Sequence, residues 1–139
     1  MTIEQRQQEI VAEFADIEDW MDRYGYIIDL GNALPPLPDE LKTPDRLIEG
    51  CQSRVWLDAD IDRVPFRADS DAIIVKGIIS LLVSVLDSHT PDEILDADLH
   101  FIDEIGLSRH LSPTRSNGLL AMVKQMRVYA LAFKAKNRS

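Results

Sequence analysis

The chain has 139 residues, 45% apolar and 28% charged, a size and composition that suit one soluble folded domain able to bury a core without disulfides or a structural metal. A net charge of −9 argues against nucleic acid, whose phosphates need Lys and Arg to displace their counterions, and against anionic membrane surfaces. The single cysteine, Cys51, excludes an internal disulfide.

Residues 1–139 read as a single domain. Thr2 followed by Gln5 forms a capping box, after which Ile3, Ile10, Val11, Phe14 and Ile17 recur at helical spacing. A second helix, or the continuation of a broken one, carries Trp20, Met21, Tyr24, Ile27 and Ile28, with Gly31 placed to stop it. The N-terminal stretch "MTIEQRQQEIVAEF" is polar and amphipathic and holds no apolar core of a secretion signal. With one cysteine, this points to the cytoplasm.

Four prolines between Pro35 and Pro44 predict an extended, ordered crossing, because proline removes backbone donors and fixes φ. From Val55 the period changes to two. Val55, Leu57, Ala59 and Ile61 share one face, and Trp56, Asp58 and Asp60 the other, read as a solvated face. A second strand places Val64, Phe66 and Ala68 inward with Arg67 and Asp69 outward, and "DIDR" supplies the hairpin turn. Two strands alone are marginal, so a third strand or a covering helix is expected.

Ile73 to Leu86 is apolar nearly all round and follows "DSD". It reads as a buried central helix capped by Ser70 or Asp71, with a buried strand as the competing reading of Ile73-Ile74-Val75. It is too short to cross a bilayer and carries Lys76. Thr90, Pro91 and Glu93 open a short helix, and Gly106 ends the piece that follows. Ser112 and Pro113 open the last helix, whose apolar stripe is Leu119, Leu120, Val123, Met126, Ala130 and Phe133. Lys134, Lys136 and Arg138 suit its C-terminal dipole. The order of helices, hairpin and helices is an α+β fold, a small antiparallel sheet packed with several helices.

Zinc and iron–sulfur sites held by this chain alone are disfavoured. Closed zinc sites and clusters want about four ligands, and His89, His100 and His110 form no ligand pair at i, i+4 spacing. No phosphate-cradling glycine loop occurs. A lone cysteine in a small protein is most often a buried apolar residue. Two features set Cys51 apart. Gly50 lacks a Cβ and lets another molecule approach closely, and Gln52 and Ser53 are polar, unlike the neighbours of a core cysteine. A Cys51–His110 nucleophile pair is the weaker alternative.

The stretches "LIEGCQSRVW", "ADSDAIIVKGIISLLVSVL" and "RHLSPTRSNGLLAM", with "YIIDLGNALPPLP", together resemble the SufE family of sulfur acceptors in iron–sulfur cluster assembly. CsdE, a sister family, is similar in the cysteine motif. The resemblance implies a fold like that of the U-type (IscU-like) iron–sulfur scaffolds. It implies that Cys51 accepts sulfane sulfur from a PLP-dependent cysteine desulfurase, SufS or alternatively CsdA, and passes it to the SufBCD scaffold complex. PLP belongs to the partner, and no cofactor or metal is expected in this chain, nor independent turnover. The competing reading is an allosteric adaptor of the desulfurase in which Cys51 carries no sulfur. A homodimer is left open.

On this reading one isolated thiol is what a carrier needs, because a second cysteine would resolve the persulfide to a disulfide and release sulfide. A thiol of ordinary pKa, about 8.5, is only a few per cent ionised at pH 7; Arg54, Arg115 or a helix N-terminus could favour the thiolate, though the sequence places none of them next to Cys51. A persulfide is also prone to oxidation, so Cys51 is expected to rest beneath its loop, lined by Leu47, Ile48 and Val55, and to emerge on docking. Asp71 by its place in the family pattern, and Arg115 as a cation in the first turn of a helix, are candidates for loop support and partner contact alongside Gly50 and Gln52.

Overall fold

A computed structural model describes residues 2–35, 37–48, 54–59, 66–70, 73–87, 89–107 and 113–137. Two helices come first, α1 (Ile3–Ala15) and α2 (Trp20–Ala33). The strands β1 (Val55–Ala59) and β2 (Phe66–Ser70) follow, then α3 (Ile73–Leu86), α4 (Pro91–Asp96), α5 (Phe101–Glu104) and α6 (Pro113–Asn137). This is the expected α+β architecture.

The helix starts follow local chemistry. Thr2 Oγ1 accepts from the Gln5 N–H while the Gln5 side chain accepts from the Thr2 N–H, and Thr90 and Glu93 repeat the exchange at α4. Each box satisfies two donors that a helix N-terminus otherwise leaves unpaired. Asp19 caps α2, so α1 and α2 are separate helices. Arg23 closes the corner between them. Its guanidinium donates to the carbonyls of Phe14, Ile17 and Ile105 and lies 5.2 Å from the centre of the Trp20 ring. Those carbonyls lie at and just after the end of α1 and after α5; the Phe14 carbonyl also accepts from the Ile17 N–H, so Arg23 adds a side-chain donor to the closing turn of α1. Gly106, at φ 82°, ends the α5 region in the left-handed conformation that glycine adopts without strain.

The proline-rich crossing is punctuated by two 3-10 turns, Asp39–Leu41 and Pro44–Arg46, and anchored by the buried Leu37. In the antiparallel pair, Val55 faces Ser70, Trp56 faces Asp69 and Asp58 faces Arg67. Val55, Leu57, Phe66 and Ala68 are buried, as their alternation predicts. The "DIDR" turn and Val64 lie outside the described residues.

Helix α3 is the centre of the core and the cover that the two strands required. Ile78, Ile79, Leu81, Leu82, Val85 and Leu86 are buried on it, and it touches α1, α2, α6 and β2. It is covered on most of its surface, with Ser84 exposed, which explains the lack of a polar stripe, and it is helical from Ile73, which settles the helix-or-strand ambiguity of its first residues. Gly31 does not stop α2, which runs on to Ala33. It faces Gly77 of α3, and a Cβ on Gly31 would come within 2.6 Å of the Gly77 backbone nitrogen. The two glycines bring the helix backbones into close contact.

Two further expectations change. Met21 is 74% exposed, and Leu120 of α6 is 67% exposed, its place in the stripe taken by the buried Met122. Ser70 is the last residue of β2, and Asp71 lies outside the described residues, so the capping of α3 is not described.

Gln7 and His100 bind the turn before α5 to α1. Gln7 is buried; its amide donates to the Asp98 carbonyl and accepts from the Phe101 N–H. His100 places Nε2 2.7 Å from Glu4 and Nδ1 2.9 Å from Glu104. Hydrogen bonds donated to Glu4 first, then to Glu104, raise its pKa above the ordinary 6.5, against partial desolvation. The charged imidazolium is therefore favoured by folding. Its contribution is complete below about pH 6.5 and disappears as pH rises through the raised value. An NMR titration of His100 is expected to place its midpoint above 6.5, and Glu4→Gln to bring it back down. A midpoint unmoved by Glu4→Gln would show that the Glu4 contact does not persist in solution.

Candidate functional site

The strand β1 has a neighbour on each edge. On one side it pairs with β2. On the other, Leu47 bridges Trp56, and the Ile48 N–H donates to the Val55 carbonyl at 2.8 Å. The chain therefore enters and leaves the segment carrying Cys51 through two paired arms, residues 47–48 and 55–56. Ile48 and Val55 are buried at this base, while Leu47 and Arg54 are exposed. Gly50, Cys51, Gln52, Ser53 and Asp71 lie outside the described residues, as does His110. Arg115 is in the first turn of α6, but its side chain is not described. The described part of the candidate site is thus its two paired arms.

The stem is held by charges that the sequence pattern did not reveal. Asp69, expected to point to solvent, is buried. Its Oδ2 accepts from the Leu37 N–H at 3.1 Å and its Oδ1 from the Ser70 N–H at 2.8 Å. The ammonium groups of Lys42 and Lys76 lie 3.3 and 3.5 Å from the same carboxylate. Burial by itself pushes the Asp69 pKa up, but the two backbone bonds and the two lysines outweigh it and hold the carboxyl below its ordinary value. Lys42 also lies 5.3 Å from the centre of the Trp56 ring. Its own pKa is raised, chiefly by its hydrogen bond to Asp69.

A second tie lies further along β1. Asp58, read from sequence as part of a solvated face, pairs with Arg46 Nε at 3.1 Å and with Arg67 at 2.7 Å, and Arg46 also donates to Thr43. Arg46 immediately precedes the incoming arm and Asp58 lies on the outgoing strand. The crossing 37–48 is thus bound to the sheet at Leu37, Lys42, Arg46 and Ile48 in turn. A carboxylate at an outward strand position is ordinary, so only the run of cations in the proline crossing, Lys42 and Arg46, hinted at these pairs.

His100 and His89 are engaged by glutamates, His89 with Glu93 at 3.3 Å. Among the described residues no group of three or more metal-ligating side chains forms, and no helix is long and apolar enough to cross a membrane.

Comparison with known proteins agrees with the sequence motifs. A family model described as the SufE Fe–S metabolism associated domain matches residues 8–130. An uncharacterized SufE-like protein of Rhizobium etli is 40% identical over 126 residues, covering 86% of this chain and 85% of that protein. The solution structure of a hypothetical protein from Thermus thermophilus superimposes with a TM-score of 0.77 over 94% of this chain and 96% of the other, at 19% identity, a likeness of fold alone. With a family match over most of its length and a close relative over a similar span, this chain belongs to the SufE family, whose domain is associated with iron–sulfur metabolism.

Proposed function

We propose that this protein takes sulfane sulfur from a PLP-dependent cysteine desulfurase of the SufS or CsdA kind onto Cys51 and passes it to the SufBCD cluster scaffold. The observation that carries the reading is the solitary cysteine of a SufE-family chain, borne between two arms paired at their base. The transfer balances without an added oxidant or reductant. The Cys51 thiolate attacks the outer sulfur of the desulfurase's cysteine persulfide, the S–S bond of that persulfide breaks, and its cysteine leaves as a thiolate. A new S–S bond forms on Cys51, and the outer sulfur keeps its oxidation state. The terminal sulfur takes up or sheds a proton with the solvent.

Loss of sulfur from the desulfurase cysteine frees it for another turnover, so the carrier accelerates the desulfurase. Gly50, Gln52, Asp71 and Arg115 are the residues we assign to loop support and partner contact.

The reading is tested by incubating the protein with a cysteine desulfurase and free cysteine and recording intact and peptide masses. One added sulfur atom on the peptide containing Cys51, removable by a thiol reductant, is expected. An unmodified peptide in the presence of a turning-over desulfurase would overturn the proposal.

A further inference from the structure

Asp69 is the only charged residue among the described residues that is buried. It spends both oxygens on backbone N–H groups far apart in sequence and draws in two lysines. Leu37 and Lys42 belong to the crossing that becomes the incoming arm of the Cys51 segment. Ser70 faces Val55, the first paired residue of the outgoing arm, and Asp69 itself faces Trp56. Lys76 comes from α3. A single carboxylate therefore joins the crossing that leads into the incoming arm, the sheet that carries the outgoing arm, and the central helix.

Stability alone does not require this device, since an apolar or outward polar residue at this strand position leaves fewer groups to desolvate. A thiol that must meet a sulfur held by another protein does require a fixed frame, because misplacement of about 1 Å costs on the order of 100-fold in rate. The base pairing of Ile48 with Val55 sets the register of the two arms; Asp69 sets how that pair sits against the rest of the molecule.

We infer that Asp69 is a positioning residue for sulfur acceptance, fixing the stem of the Cys51 segment against the sheet and α3 so that a desulfurase engages it in one orientation. The inference rests on the sulfur-acceptor reading above. Asp69→Asn is the direct probe. Leu37 and Ser70 donate to different oxygens of Asp69, so an amide, with one acceptor oxygen, cannot keep both bonds as they stand, and it loses both lysine pairs. Lys42→Met is the gentler probe, since it leaves both backbone bonds and matches the stem's apolar length.

Desulfurase stimulation is titrated with wild type, Asp69→Asn and Lys42→Met, and sulfur on Cys51 is read by mass. The concentration for half-maximal stimulation is expected to rise roughly 10-fold in Asp69→Asn and about 3-fold in Lys42→Met, with the plateau within about twofold of wild type. Hydrogen exchange at the Ile48 N–H is expected to accelerate while that of Met126, in the α6 core, does not. A half-maximal concentration unchanged in both variants, or a plateau that merely falls with the folded fraction, would overturn the positioning role. Failure of wild type itself to acquire sulfur would instead remove the carrier reading on which that role stands. Should Asp69→Asn not fold, Lys42→Met decides by the same criteria.

Discussion

Cys51→Ser is expected to abolish sulfur acceptance and to reduce desulfurase stimulation to the level seen without the protein. A serine differs by one atom and carries no new charge, so the fold and the paired stem are expected to persist, which circular dichroism and thermal melting check. The chemistry does not persist. At neutral pH a hydroxyl supplies essentially no anion, whereas a thiol supplies a few per cent, and oxygen cannot hold sulfane sulfur in an exchangeable S–S bond. A loss of at least about 100-fold in sulfur transferred per unit time follows from removal of a nucleophile. The assay also separates the three readings of the chain. Full stimulation by Cys51→Ser would favour the allosteric adaptor. Hydrolysis of an ester or amide by wild type without any desulfurase, lost in both Cys51→Ser and His110→Ala, would favour the Cys–His pair. Stimulation that disappears together with the sulfur adduct supports the carrier.

What the sequence discloses about this molecule depends on the range of each interaction. Thr2 with Gln5 and Thr90 with Glu93 are three residues apart, so the capping boxes are visible as pairs of letters and appear as hydrogen bonds. Gly106 ends the α5 region because a left-handed residue is a local requirement. The alternation of Val55 with Leu57 and of Phe66 with Ala68 is equally local, and each is buried. The brace at Asp69 was not legible. Its partners Leu37, Lys42 and Lys76 are brought to it by the proline crossing and by α3, and strand alternation alone assigns Asp69 to solvent.

Gly31 misled for a related reason. A glycine near the end of an apolar stripe suits a helix stop, but this one is needed by a helix that the sequence places more than forty residues later. Leu120 and Met122 exchange roles because the last helix offers apolar residues on neighbouring faces and the docking of α6 chooses between them. Of the site, Cys51 stands out by its isolation and by Gly50 beside it in the sequence; the frame of the arms on either side is a property of tertiary contacts.

Gly77→Ala is expected to be the most damaging single-methyl change in the described core. A Cβ on Gly77 would fall 2.1 Å from the Ile27 carbonyl oxygen and 2.5 Å from the Ile27 Cγ2. The first is backbone on the opposing helix, so no side-chain rotation relieves it and α2 must move away from α3. Parting the helices opens space around Ile27, Ile78 and Leu81, all buried, and forfeits contacts that a dense core does not recover by small shifts. Overpacking costs about 1–3 kcal/mol where side chains can adjust, and a backbone clash belongs at or above the upper end. At about 3 kcal/mol, a domain of this size loses roughly 10 °C in Tm. Gly25→Ala, in the opposing helix α2, is the control, since nothing lies within 4 Å of the position its Cβ would take. There the methyl reduces the freedom of the unfolded chain without a clash, and a gain of about 0.5–1 kcal/mol is expected. Thermal or urea melts of the two variants should therefore move in opposite directions from wild type. Equal shifts would mean that helix propensity, not the close approach of α2 to α3, governs these glycines.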